Sequence, residues 1–417
     1  MLPNTASLER ANPHLMDAIV SAGDARQIVA SRDIFDDRGV LLWAREQPVS
    51  RSLQQRLLDR KLREPIEACL RAEDGFTNVH LLESLRSLLA SEHALTILIR
   101  DYAAELESHA ASLPLHASVQ LLLTISAAAR PHIVEHAVRG MALAGAMALS
   151  IALDRAGVRV AMLAGLLHDL GEMYVDPKYL DVKHVAEPAE FRNIAVHPLV
   201  SAQLLQSLTD YPLALAKGIA EHHERLDGTG YPSQSESSTL GAIGRFLAVV
   251  EATLGIVGED SCGLARASFA LRLVPGEFDS RWTGFIFRGA NRTAPSSPPA
   301  DARDRILESR LLLQSIQEAR VLAADLAGRS AAPANIREAG RRAQHRISRL
   351  DVAARSVGLG EQDPDGDPAA VMEQIMAINE IRYRLRSVRR ECIWPVALST
   401  ADDQAHLQPL WTLLAAS

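Results

Sequence analysis

Glu221-His222-His223-Glu224-Arg225-Leu226-Asp227-Gly228-Thr229-Gly230-Tyr231-Pro232 is the stretch that decides how this chain is read. Adjacent histidines run straight into a Gly-rich loop. Upstream, a second dyad, His168-Asp169, closes the apolar run Ala161 to Leu167. His136 precedes that dyad, and His197 falls between the two. Imidazoles plus a carboxylate are the ligand set of a transition-metal site. Consecutive residues on a helix point about 100° apart, so a mid-helix dyad does not readily grip one ion. Each dyad would serve two neighbouring ions, or one ion from a frayed helix end. A carboxylate can bridge two metals, whereas a neutral imidazole binds one. Two dyads therefore point to a dinuclear centre, which can hold hydroxide and clamp a phosphoryl group for in-line attack. Any one of these histidines alone is more often an ordinary hydrogen-bonded residue; the ordered combination carries the signal.

Several segments share this logic. His222-His223-Glu224-x-x-Asp227-Gly228-x-Gly230-Tyr231-Pro232 closely resembles the signature of the HD-GYP family, a branch of the all-helical HD-domain metal-dependent phosphohydrolases. Leu166-Leu167-His168-Asp169-Leu170-Gly171 resembles the HD motif, and His197-Pro198 the next histidine. His136-Ala-Val-Arg139 resembles the leading histidine motif, and Gly244 to Glu251 the helix that carries the last ligand. The resemblance covers about 116–290. It implies hydrolysis of cyclic di-GMP or a related nucleotide by a hydroxide that a dinuclear metal centre activates. It implies metal ligands His136, His168, Asp169, His197, His222, His223 and Glu251, with Asp169 bridging and named as catalytic. The ions implied are two divalent transition metals, iron or manganese first, with zinc, nickel or cobalt as alternatives. Arg245, which can contact a phosphate or pair with a core carboxylate, is carried as a catalytic and substrate-binding candidate. Asp227, Gly230 and Tyr231 join it as substrate-binding candidates on the loop. Contacts of this loop with diguanylate cyclase-type domains are transferred as an expectation.

Three departures from the family pattern matter. Glu172 stands where the family has Lys, so an anion replaces a cation that would stabilise developing phosphoryl charge. Glu251 replaces the usual Asp and is one methylene longer. Ala252-Thr253-Leu254-Gly255-Ile256 lacks the second Asp and the Arg-Pro-Tyr stretch that commonly follow.

The rest of the chain frames this core. At 417 residues two or three domains are expected. Aromatic residues make up only 4%, which suits a core of Leu, Ala, Ile and Val on helices. A net charge of -7 argues against a general nucleic-acid affinity. Cys69, Cys262 and Cys392 are scattered without CxxC spacing, which suits a reducing cytoplasm. No basic-then-apolar leader pattern is visible, and the apolar run Gly140 to Leu153 is short of the ~20 residues of a membrane span.

The expected fold is mainly α: an all-helical HD-domain core with a small N-terminal α/β module and a C-terminal helical region. The expected domains are 1–75 (α/β module), 76–115 (helical connector), 116–292 (HD-GYP-like domain) and 302–417 (C-terminal helical domain). Within the module, Gln27 to Phe35 and Val40 to Trp43 read as strands around an Asp36 to Gly39 turn, and Ser50 to Leu62 as a helix. Helical periodicity covers 78–110, 116–129, 131–156, 158–170, 187–207, 212–224 and 239–257. Thr293 to Asp301, with Pro295, reads as a linker before helices 302–357 and 368–415. Leu311, Leu312, Leu322 and Leu326 are expected to pack on neighbouring helices. Asp363-Pro-Asp365-Gly-Asp367 hints at a calcium loop, but Pro368 and Gln374 fill the positions that need Gly and Glu. Arg382, Arg384, Arg386, Arg389 and Arg390 read as a solvated helix face.

The leading function is a metal-dependent phosphodiesterase. The alternative is a catalytically degenerate HD-GYP-like protein that binds nucleotide or partner proteins, favoured by Glu172 and the altered segment after Glu251. A hydrolase of another phosphoester is a third reading. A homodimer is compatible with the helical flanks; membrane insertion is not expected.

Overall fold

The computed structural model describes residues 10–23, 26–181, 184, 187–258, 262–293, 298–361, 366–393 and 401–416. Pro295 of the linker and Asp363 and Asp365 of the calcium-like loop lie outside these residues. The chain divides into two compact units, one of residues 1–184 and 193–259 and one of residues 185–192 and 260–417.

The first unit opens with α1 (Pro13–Gly23), then β1 (Ile28–Ala30), β2 (Ile34–Phe35), β3 (Leu41–Trp43), α2 (Arg51–Leu58), α3 (Ile66–Cys69) and β4 (Leu70–Ala72). The expected single strand over Gln27 to Phe35 is two strands with different partners. β1 pairs antiparallel with β4, Val29 opposite Arg71, while β2 pairs with β3 across a bulge. The Asp36 side chain makes the intervening turn by accepting from the backbone N–H of Arg38 (3.0 Å) and Val40 (2.8 Å). The helix at 51–58 stops short of Leu62 and is capped by Ser50.

All further elements of this unit are helical. α4 (Asn78–Ala90), α5 (Thr96–Ile99), a 3-10 turn (Arg100–Tyr102) and α6 (Ala103–Ala110) occupy the expected continuous segment 78–110. The break falls at Ser91, where the chain leaves helical geometry. α7 (Ala117–Ala129), α8 (Pro131–Ser150), α9 (Arg155–Leu167), a 3-10 turn (Leu170–Tyr174) and α10 (Pro177–Leu180) follow. α11 (Pro188–Ala195), of which residues 188–192 fall in the second unit, and α12 (His197–Leu208) split the segment read as 187–207. α13 (Leu213–Ala220) and α14 (Ala242–Leu254) complete the unit. α8 starts with Pro at its first turn, where no intrahelical donor is lost. It is buried along most of its length, as the apolar run Gly140 to Leu153 foretold.

The placing of α8 against α9 sets the site. A methyl group on Gly140 would come within 2.5 Å of the Gly165 carbonyl, and one on Gly165 within 2.3 Å of the Gly140 carbonyl. The two helices therefore cross backbone to backbone, which only paired glycines allow. His136 lies one turn before that crossing and His168 three residues after it, so the crossing delivers the two rings to each other.

The second unit holds α15 (Gly263–Leu273), α16 (Ser280–Ala290), α17 (Ala302–Gly328), α18 (Ala334–Ser356), α19 (Pro368–Ile393) and α20 (Ala401–Ala416). Buried positions on α17 run Ile306, Ser309, Leu312, Ile316, Ala319, Ala323 and Leu326, each three or four residues after the last. That is the seam of packed helices, filled by the matching faces of α18, α19 and α20. Leu312 and Leu326 are in this core, but Leu311 is 65% exposed and points away from it. Arg384 departs from the expected solvated arginine face. It is half-buried and paired with Glu277 (2.5 Å) and Glu380 (2.7 Å), which anchors residues 276–279 within this unit. No helix among the described residues is long and apolar enough to cross a membrane.

Candidate metal centre

Asp169 is the hub of the site. It follows the end of α9 and leads into the 3-10 turn Leu170–Tyr174. Gly171 seats this turn on the start of α12: its N–H donates to Ser201 Oγ at 2.8 Å, and a methyl group there would meet the His197 carbonyl at 2.3 Å. His197 is thereby brought against Asp169. His222 and His223 lie just past the end of α13, outside helical geometry, so both rings can turn toward one point. Glu251 reaches in from α14.

Two groups of donor atoms result. In the first, Asp169 Oδ1 lies 3.2 Å from His197 Nε2 and 3.2 Å from His222 Nε2, with His223 completing the set. In the second, Asp169 Oδ2 lies 3.3 Å from His136 Nε2 and 3.2 Å from His168 Nε2. Glu251 Oε2 lies 3.1 and 3.2 Å from the same two nitrogens. All seven ligand candidates read from the sequence fall into these two groups, and Asp169 alone belongs to both.

The donor chemistry fits cations at both groups. His168, His197 and His222 each place Nδ1 against a backbone carbonyl three residues back: Gly165 at 3.0 Å, Ile194 at 2.8 Å and Ile219 at 2.6 Å. A carbonyl only accepts, so each Nδ1 carries the proton and each Nε2 turns a lone pair inward. Those lone pairs face carboxylate oxygens and one another: His136 and His168 Nε2 are 3.3 Å apart, and His197 and His222 Nε2 3.2 Å. Asp169 Oδ1 is buried with no hydrogen-bond partner. Acceptors crowded in this way repel unless a cation lies among them. Ligands about 2.0–2.2 Å from a metal sit about 2.8–3.6 Å from each other at octahedral or tetrahedral angles, a range that includes the spacings seen here.

Protonation equilibria show the same pull for positive charge. Burial pushes the His168 imidazole down, but Asp169 and Glu251 outweigh it and raise it to about 10. His136 is raised well above its ordinary range by the same two carboxylates against burial. In the first group, burial lowers His222, and burial plus the His222 ring holds His223 well down. Against the cost of burial, the neighbouring imidazoles hold both Asp169 and Glu251 well below the usual carboxylate range.

The loop after the histidines is built to hold His223. Tyr231 stacks on the His223 ring (centroids 4.4 Å, planes 16° apart), and its N–H donates to the His223 carbonyl at 3.1 Å. Gly230 lets the loop fold back, because a methyl group there would meet the Glu224 Cα at 2.3 Å. Asp227 orders the turn by accepting from the N–H and hydroxyl of Thr229. Arg245 ties the loop to α14, donating to the carbonyls of Leu240 (3.1 Å) and Ser237. It sits six residues before Glu251, about 120° away around the helix.

Sequence reading overlooked the groups that support the ligands. Glu224 is buried and accepts from the N–H of Ser233 (2.6 Å) and Ser235 (3.0 Å), clamping the loop. Glu221 accepts from the Gly241 N–H at 2.9 Å at the start of α14. Both flank the histidine dyad, but a sequence does not reveal which acids are buried. Buried Arg130 donates to the Glu172 carbonyl at 2.9 Å. The Tyr174 hydroxyl donates to buried Glu67, a bond between residues 107 positions apart. Glu172 itself is raised to about 7 by burial and then by the Asp169 carboxylate. It stands beside the centre without joining either ligand group.

This fold and site define an HD domain, and residues 120–254 match that family's model. Curated relatives narrow the class. A cyclic di-GMP phosphodiesterase of Pseudomonas aeruginosa is 36% identical over 120 residues, 28% of this chain and 29% of the relative. A 3'3'-cGAMP-specific phosphodiesterase of Vibrio cholerae is 29% identical over 121 residues, 29% of this chain and 26% of the relative. A cyclic di-GMP phosphodiesterase response regulator of Xanthomonas campestris is 28% identical over 110 residues, 26% of this chain and 29% of the relative. The match thus spans less than a third of each of these relatives. No solved structure matches the chain at a significant level. Residues 120–254 thus carry an HD domain, and it resembles the HD-GYP type.

Proposed function

We propose that this chain is a metal-dependent phosphodiesterase that hydrolyses cyclic di-GMP or a related cyclic dinucleotide. One observation carries the reading: a single carboxylate, Asp169, offers one oxygen to each of two histidine-rich donor groups. His197, His222, His223 and Asp169 would hold one divalent ion, and His136, His168, Glu251 and Asp169 a second. Iron and manganese suit imidazole and carboxylate donors, as do zinc, nickel and cobalt. When bound, two such ions lower the pKa of water and offset the charge of a phosphoryl group.

The chain's own residues do the rest. Backbone carbonyls of Gly165, Ile194 and Ile219 fix the imidazole tautomers, so no ring must reorganise on binding. Tyr231, Gly230 and Asp227 form the loop that holds His223 and would border the substrate. Arg245 braces that loop and keeps its remaining N–H groups for a phosphate. Glu172 contributes negative charge where a substrate phosphate would approach, so it tunes affinity downward. What supports turnover over a binding-only role is the complete and preorganised donor set: Glu172 belongs to neither donor group, and Glu251 reaches both of its histidines.

The test is metal analysis of anaerobically purified protein, followed on the same sample by hydrolysis of cyclic di-GMP and 3'3'-cGAMP with added manganese or iron. About two ions per chain with turnover is expected. Metal without turnover of either nucleotide would favour the binding role. Activity that survives His168→Ala or Asp169→Ala would refute the site.

A further inference from the structure

A second cluster of polar groups, remote from the metal centre, lacks the acceptor its chemistry calls for. Arg155 and Arg159 stand one turn apart at the start of α9, so their side chains share a face. Both reach the hydroxyl of Ser112, just past the end of α6. Arg159 Nη2 lies 2.9 Å from Ser112 Oγ and Arg155 Nη2 lies 3.4 Å from it. Ser112 donates its own proton to the Ser108 carbonyl at 3.3 Å. Two guanidiniums thus share one neutral acceptor, and neither has a carboxylate partner among the described residues.

Two more atoms point the same way. Arg159 Nε is buried without a hydrogen-bond partner, and so is His109 Nδ1 on the last turn of α6. A buried donor left without an acceptor is costly. The carboxylates nearby do not answer it. Asp154 is committed to capping α9, its Oδ1 accepting from the Gly157 N–H at 2.8 Å, and Glu105 is exposed with no ion pair. The negative end of α6 attracts cations, which accounts for positive charge here but not for a buried Nε–H with nothing to bond. Guanidinium forks match the edges of a tetrahedral oxyanion.

We propose that Arg155, Arg159, Ser112 and His109 form a binding site for a phosphate group, separate from the metal centre. The His168-Asp169 dyad lies at the opposite end of α9, about 20 Å away for a helix of this length. The ligand is either free inorganic phosphate or the phosphate of a small nucleotide; both present the same three oxygens.

The test is a titration of the full chain with inorganic phosphate and, separately, adenosine 5'-monophosphate. It is followed by the ring signals of His109 in histidine-labelled protein and assigned with His109→Gln. A saturable shift of the His109 signals is expected, weakened at least tenfold in the R155Q/R159Q double variant, partly kept in R159K and unchanged in H168A. A tighter response to the nucleotide would identify a nucleotide phosphate, and a tighter response to inorganic phosphate the free anion. No shift with either probe would overturn the proposal. So would an equal response to chloride, or loss of the response in H168A, which would move the anion to the metal centre. No outcome depends on turnover, so this site stands or falls apart from the phosphodiesterase reading.

Discussion

The two donor groups around Asp169 share a carboxylate but differ in charge. The first sets three imidazoles around one carboxylate oxygen; the second sets two imidazoles between two carboxylates. In the second group both imidazoles are raised, His168 to about 10. In the first, His222 and His223 are lowered, while Asp169 and then Glu172 raise His197 against burial. The same ligand type is thus tuned in opposite directions a few ångströms apart. The lesson is that the carboxylates facing each imidazole, not the number of histidines, set how strongly it attracts a cation or, without one, a proton.

The most severe way to break the comparison is to remove what the groups share. Asp169→Ala should lower phosphodiesterase activity on the order of a thousandfold or more, as loss of a group on which two ions depend would do. Circular dichroism would check that the helices persist. Next comes the α8–α9 crossing. Gly165→Ala forces a methyl group into the Gly140 carbonyl, so about 1–3 kcal/mol of stability should be lost, read by urea denaturation. Metal should leave the second group before the first, because only the second draws one ligand from each helix of that crossing.

Acidification should sharpen the contrast. A cation entering the second group must displace protons from His136 and His168, so its affinity climbs with pH toward about 10 and falls as pH drops. The first group, where His197 is raised but His222 and His223 are lowered, should respond less. Metal titrations at several pH values in Glu251→Gln and wild type would separate the two slopes. A smaller effect is expected at the loop. Tyr231→Ala should weaken the ion of the first group about tenfold, as loss of an orienting neighbour does, whereas Tyr231→Phe keeps the stack and should change little. Equilibrium dialysis distinguishes them.

Glu67 supplies an outside reference for Asp169. It too is a buried carboxyl with one oxygen lacking a partner. Among the described residues no imidazole acts on it, and burial raises it despite the bond from Tyr174. Its folded pKa lies above the unfolded value of about 4.3. Stability should therefore fall as pH rises from there through the folded value, then level off. Glu67→Gln should flatten that slope in thermal melts taken between acid and neutral pH.

The sequence was most legible where chemistry is repeated in short motifs. Paired histidines, the HD dyad and the GYP segment pointed to the residues that the fold gathers into two donor groups, because few other uses require those residues in that order. The helical class was legible from apolar periodicity over α7 to α9. Helix ends were less so: the segment read as 78–110 breaks at Ser91, and 187–207 breaks between Ala195 and His197. Which dyad member serves which ion was left open, because it depends on where α9 and α13 stop. Both dyads sit at helix ends, so His222 and His223 join one group while His168 and Asp169 divide their roles. The supporting shell was illegible. Glu224, Ser201 and the Glu67–Tyr174 bond depend on contacts between distant segments, and nothing local distinguishes a buried glutamate from a solvated one.

The most direct measurement is the number of divalent ions bound per chain in wild type, Glu251→Ala and Asp169→Ala, each purified anaerobically and verified as folded. If Asp169 bridges two positions of unequal charge, the counts should be about two, about one and near zero. Equal loss from both variants, or an Asp169→Ala protein that keeps one full equivalent, would contradict the shared-carboxylate account.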